Sequence, residues 1–172
     1  MHQKRHSSEY IHKHARPFSQ KKCLHVVLRS HFTTLRQRKN RKLIGDLLHL
    51  YSHRFHVRVY QNALNSTHIH LLCYAKEKES LQNFLRVFAG QVAQRMTSSK
   101  KGKALTRSFW SKIAWSRVVE WGRAFKIATQ YILQNQRESL GLVAYTPRRH
   151  KTFSITSPLR LKALSLMSVT QT

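Results

Sequence analysis

The chain has 172 residues, with 32 Lys and Arg against six acids, for a formal net charge of +26. That length holds one domain with a real core and hardly two, and no apolar stretch approaches the ~18 residues of a membrane span. So large a surplus of like charge costs self-repulsion, and a polyanionic partner relieves it. Nucleic acid is the first expectation, because each neutralised phosphate releases counterions.

The acids are Glu9, Asp46, Glu77, Glu79, Glu120 and Glu138. A two-metal nuclease needs several carboxylates converging on one site. A single aspartate, with Glu77 and Glu79 in a charged turn, argues against that chemistry. A phosphodiester-cutting protein of this composition should use few acids and a covalent nucleophile. Residues 1–20 are polar, basic and His-rich, without an h-region, and read as a flexible basic arm with no secretory signal. Cys23 and Cys73 lie in apolar runs, as reduced core residues do, so a cytoplasmic, nucleoid-associated location is expected.

In chain order, residues 23–29 (CLHVVLR) read as a short buried strand. A basic loop over 31–42 follows, crowded with Arg36, Arg38, Lys39, Arg41 and Lys42. Asn40 is placed to cap a helix whose apolar positions Leu43, Ile44, Leu47, Leu48, Tyr51 and Phe55 are three and four apart. Residues 57–62 alternate as a strand, 63–66 make a hairpin turn, and 67–75 (THIHLLCYA) form the next strand. From Ser80 a second helix carries Leu81, Phe84, Leu85, Phe88, Val92 and Met96 on one stripe. A basic loop, 97–106, contains Lys100, Lys101 and Lys103. Residues 107–119 read as an aromatic strand, and a third helix runs from about Arg123 to Leu140, ended by Gly141. A basic, Ser/Thr-rich tail occupies 147–172. The order β-α-β-β-α-β-α predicts an α+β, ferredoxin-like split βαβ fold spanning 21–146, with two helices on one face of an antiparallel sheet and an extra C-terminal helix.

Within that frame His68-Ile69-His70 is the first candidate for chemistry. In a strand its two imidazoles share one face about 7 Å apart, while Ile69 points into the core. Two such rings can share a divalent cation. The bland alternative has weight, since a chain with 12 histidines produces such spacings by chance, and His12-Lys13-His14 is a second case. On the third helix Tyr131 and Asn135 are four apart and share a face. A tyrosine phenol can attack phosphorus and store the bond energy in a phosphotyrosine. The alternative is a tyrosine that packs the helix onto the sheet. Trp110 and Trp115 are expected in the core, and Trp121 is the better candidate for stacking on bases.

Taken together, the segments HVVLRS (25–30), HIHLL (68–72), RSFWSKIAWSRVVEWGR (107–123) and YILQNQRESLGL (131–142) resemble the HUH-class single-tyrosine transposases, closest to the branch associated with repetitive extragenic palindromes. The resemblance covers roughly two-thirds of the chain, Leu24 to Gly141. It implies a ferredoxin-like core, divalent Mg or Mn, and cleavage of single-stranded DNA near a hairpin or palindrome, by a monomer or homodimer. It further implies that His68 and His70 are metal ligands, that Asn135 is the third, with Gln134 as a nearby alternative, and that Tyr131 is the nucleophile linked to a 5′-phosphate. Two positions depart from the family: Thr67 stands where an Asn usually precedes the first histidine, and Gln136 where many relatives have Pro. Arg36, Arg38, Lys39, Arg41, Lys42, Lys100, Lys101 and Lys103 would track DNA phosphates. The competing reading is a non-catalytic, domesticated nucleic-acid-binding module of the same topology. An RNA-recognition domain in particular would need aromatics on its central strands, and HIHLLCY does not supply them.

Overall fold

The computed structural model describes residues 17–98 and 107–146. Four strands and three helices follow one another as β1 (Cys23–Arg29), α1 (Arg38–Arg54), β2 (Arg58–Leu64), β3 (His68–Tyr74), α2 (Lys78–Thr97), β4 (Trp115–Val119) and α3 (Arg123–Ser139). The sheet order is β2-β3-β1-β4 with every neighbouring pair antiparallel. This is the α+β, split βαβ arrangement the element order predicts. The basic arm's residues 1–16, the loop lysines Lys100, Lys101 and Lys103, and the tail 147–172 lie outside the described residues.

Alternation in β1 and β3 divides the molecule. Leu24, Val26 and Leu28 of β1, with Ile69, Leu71 and Cys73 of β3, face α1 and α2 and join Ile44, Leu47, Phe84 and Phe88 in the main core. The helices supply that core because their apolar residues recur at three and four: Ile44, Leu47, Leu48 and Tyr51 on α1, and Leu81, Phe84, Leu85, Phe88 and Val92 on α2. Phe18 also packs against this cluster. The opposite sheet face, with Cys23, Ala63, Leu72 and Val119, is covered by Ala128 and Ile132 of α3. Glycine permits both ends of α3. Gly122 precedes it at φ 83° and Gly141 follows it at φ 72°. The amides of Gly141 and Leu142 donate to the carbonyls of Glu138 and Arg137, closing the helix with the paired bonds of a Schellman motif.

Four boundaries differ from the sequence reading. α1 starts at Arg38 with Gln37 at the cap position; Asn40 lies inside the first turn, where its Nδ2 donates to the Thr34 carbonyl (2.9 Å) and holds the preceding loop instead of capping. α2 begins at Lys78, ahead of Ser80. β2 extends to Leu64, so the hairpin turn tightens to residues 65–67, closed by the Asn65 amide on the His68 carbonyl. The aromatic run 107–119 is a strand only from Trp115. Ahead of it stands one isolated bridge, Ser30 to Trp110. There Ser111 bonds the Arg29 carbonyl through both its amide and its hydroxyl, and the Trp110 Nε1–H turns to the Ala89 carbonyl. The Ser111 amide bond belongs to that bridge, and the pairing with β1 resumes only at Trp115.

Candidate active site

The face under α3 gathers the polar residues. Register sets their positions: β1 and β3 pair Val27 with His70, Arg29 with His68 and His25 with Leu72, so His25 lies diagonally across from His70. β3 places His68 and His70 on the α3 side, with Ile69 buried on the other. On α3, Tyr131 and Asn135 lie on the same stripe as the anchors Ala128 and Ile132. The helix that seals the second core therefore carries the candidate nucleophile and the candidate third ligand against the histidines.

The distances bring these groups together. The rings of His68 and His70 are 4.8 Å apart, and the Tyr131 ring stands 5.6 Å from His70 and 5.9 Å from His25. The Nδ2 amide of Asn65, in the β2–β3 turn, donates to His68 Nε2 (2.8 Å) and to Asn135 Oδ1 (3.4 Å). Thr67 Oγ1 lies 3.1 Å from His68 Nδ1. Asn135 in turn donates from Nδ2 to the Tyr131 carbonyl (2.7 Å), which fixes its oxygen toward Asn65. Tyr131 is half-buried, and lines an open surface cleft with Ile127, Gln130, Gln134 and Thr146. Gln134 is exposed and bonds Glu138; of the two side chains considered as third ligand, Asn135 is the one turned to the histidines. Gln136 accepts from Gln61 Nε2 (3.2 Å) and ties α3 to β2.

Sequence reasoning missed two residues. His25 is buried, and its Nε2 lies 3.0 Å from His70 Nδ1 with the rings stacked at 5.3 Å. Burial, together with the nearby Arg117 charge, pushes the His25 pKa down to about 4, so the ring is neutral at neutral pH. The available signal was a histidine at an inward position of an otherwise apolar strand. Asn65 passed as a turn residue. Its side chain nonetheless reaches the first histidine of the pair, His68.

Among the described residues, no group of three or more His, Cys, Asp or Glu side chains is set to hold a metal ion. The mixed donor set nonetheless fits one. His68 Nε2 and Asn135 Oδ1, both lone-pair donors, converge on a single Asn65 amide, and with His70 they are the nitrogen and oxygen donors that would hold a divalent cation.

Of the expected phosphate-tracking residues, Arg36, Arg38, Lys39 and Lys42 are exposed and Arg41 is half-buried. Lys42 is paired with Asp46. The Leu35 amide donates to the Ser66 carbonyl (3.1 Å), so this basic segment leaves from the hairpin turn that carries Asn65 and Thr67. Trp115, expected in the core, is 54% exposed beside His25, because α3 lies chiefly over β2 and β3 and leaves β4 at the sheet edge. Trp110 is partly buried against the main core. Trp121 is 45% exposed, with Nε1–H on the Lys21 carbonyl and its ring against Tyr60 and Phe125. No helix of the described residues is long and apolar enough to cross a membrane.

Comparison with known proteins gives a family and a fold. The sequence model of the family described as "Transposase IS200 like" matches residues 18–135. No curated protein matches the chain by sequence. Among solved structures, the chain is similar to a REP-associated tyrosine transposase bound to a REP hairpin, at TM-score 0.59 and 10% identity, covering 76% of this chain and 75% of that one. It is also similar to a protein of Deinococcus radiodurans R1 described as a candidate transposase, at TM-score 0.48 and 19% identity, covering 72% and 98%.

Proposed function

The chain belongs to the IS200-like transposase family, a family of DNA-processing enzymes, and from that premise we propose that it is a metal-dependent single-stranded DNA endonuclease and strand transferase working through a covalent 5′-phosphotyrosine. The observation that carries the reading is the convergence of His68, His70, Asn135 and Tyr131 on one sheet face, two from a strand and two from the helix packed on it.

The chemistry follows from these positions. The Tyr131 phenol oxygen attacks the scissile phosphorus, the tyrosyl O–P bond forms, and the P–O3′ bond breaks with the 3′-oxygen leaving as a hydroxyl. Because bond energy is conserved, a 3′-hydroxyl can later attack the same phosphorus and release Tyr131. His68, His70 and Asn135 would hold Mg or Mn, and the bound cation would polarise the scissile phosphate and offset charge growing on its oxygens. Asn135 ties the ligand set to the nucleophile, since its side chain bonds the Tyr131 backbone. Arg36, Arg38, Lys39, Arg41 and Lys42, with Lys100, Lys101 and Lys103 of the other loop, would track the phosphates of the incoming strand. The solved relative is bound to a REP hairpin, which supports a hairpin-bearing single strand as the substrate of a monomeric or homodimeric enzyme in the bacterial cytoplasm.

The test uses end-labelled single strands from the DNA flanking the gene, incubated with Mn or Mg and run on a denaturing gel. A shifted band that survives SDS, disappears with EDTA and maps by mass spectrometry to the peptide containing Tyr131 is expected. Tight, salt-sensitive binding to the same hairpins with no adduct would instead assign the protein to the non-catalytic, DNA-binding class.

A further inference from the structure

Resting on that reading of the site, we propose that His25 is a positioning residue that holds His70 in the tautomer protonated on Nδ1, with the lone pair on Nε2 left for a cation. The two rings meet through His25 Nε2 and His70 Nδ1 at 3.0 Å, and a bond between two ring nitrogens takes one proton, carried by one ring or the other. If His25 donates it, His70 accepts on Nδ1 and keeps its own proton on Nε2, where no lone pair is left for a ligand. If His70 donates from Nδ1, its Nε2 is bare. Only the second arrangement gives the site a second imidazole donor, and in it His25 is the acceptor.

His68, two residues away, is already held this way. The Asn65 Nδ2 amide can only donate, and it meets His68 Nε2, so that nitrogen carries the lone pair and the Nδ1–H turns to Thr67 Oγ1. Thr67 and His25 thus serve the two ligands in the same way, one from the preceding residue and the other from the neighbouring strand. Orientation of a metal-binding histidine through its other ring nitrogen is the general means of fixing both tautomer and ring plane.

Packing alone does not account for a histidine at position 25. Its strand neighbours Leu24 and Val26 are fully buried apolar residues, and His25 itself is 5% exposed. A branched aliphatic would fill such a position without the desolvation cost of an imidazole. In the proposed arrangement the other ring nitrogen, Nδ1, carries the ring's own proton and finds no hydrogen-bond partner among the described residues, a desolvation cost that the bond to His70 must offset. The contact to His70 is what the buried ring is there to make.

The experiment reads the ring nitrogens directly. Long-range ¹H–¹⁵N NMR of full-length, metal-free protein should show His70 protonated on Nδ1 and bare on Nε2. His70 carrying its proton on Nε2 in this wild-type spectrum would overturn the proposal without any variant having to fold. In His25→Leu the His70 proton should move to Nε2, and Mn²⁺ affinity by isothermal titration should fall roughly ten- to a hundredfold. His25→Gln, whose amide oxygen can accept the same proton, should recover most of that loss, whereas a merely structural role would leave Leu the milder change. An unchanged tautomer together with unchanged Mn²⁺ affinity in His25→Leu would also overturn it. Wild-type protein that binds no Mn²⁺ would remove the metal reading, while the metal-free spectra still decide the role of His25.

Discussion

One sheet with two differently built faces accounts for most of this molecule. Against α1 and α2 the strands present Leu24, Val26, Leu28, Ile69 and Leu71, sealed by Phe84 and Phe88, with every one of these side chains at most 3% exposed. Against α3 the same strands present Cys23 and Leu72 beside His25 and His70, and α3 itself buries Asn135 next to Ala128 and Ile132. Period-two alternation lets consecutive residues of β1 and β3 build the apolar core on one side and the polar cluster on the other. A single helix with a narrow apolar stripe suffices to dock over the polar face, and leaves Tyr131 open to the surface cleft.

Breaking the two-helix face should have the largest effect on stability. Phe88→Ala removes a fully buried ring and should cost about 3–5 kcal/mol in urea unfolding. Ile132→Ala, in the smaller cluster under α3, should cost about 2 kcal/mol, the low end for such a change, but should reduce adduct formation out of proportion, because Tyr131 and Asn135 ride on the same helix. Equal costs with no selective loss of activity would erase the distinction between the faces. The thiols sharpen it further. Burial raises Cys23, under α3, to about 11 and Cys73, under the helix pair, to about 12, so at pH 8 both are protonated and react only on opening. Release of α3 is the smaller opening, and Cys23 should be alkylated before Cys73 under native conditions; matched rates would mean that both faces open together. The smallest effect belongs to the surface. Arg36→Ala with Lys39→Ala should leave stability within about 0.5 kcal/mol, and lower the salt dependence of single-strand binding by roughly 0.7 for each phosphate no longer neutralised.

What was legible in the sequence was local. His68 and His70 flank Ile69 with strand spacing, and Tyr131 and Asn135 are one helical turn apart, so each pair could be placed on a face from its own segment. The stripes of α1 and α2 were legible for the same reason. His25 was not, because its role depends on a cross-strand register that places it diagonal to His70, 45 positions away, and no local period reports that. Asn65 was read for its turn and not for its reach to His68 and Asn135. Trp115 has the composition of a core residue, and only the position of β4 at the sheet edge leaves it exposed.

The most direct test of the division between the faces compares Tyr131→Phe with the unaltered protein in the labelled-hairpin assay, with thermal melts run on the same samples. The account predicts that the SDS-resistant, metal-dependent adduct disappears, while hairpin binding and the melting temperature stay near those of the parent. An adduct that persists in Tyr131→Phe would contradict it, because the nucleophile would then lie elsewhere and the tyrosine would belong to the packing of α3.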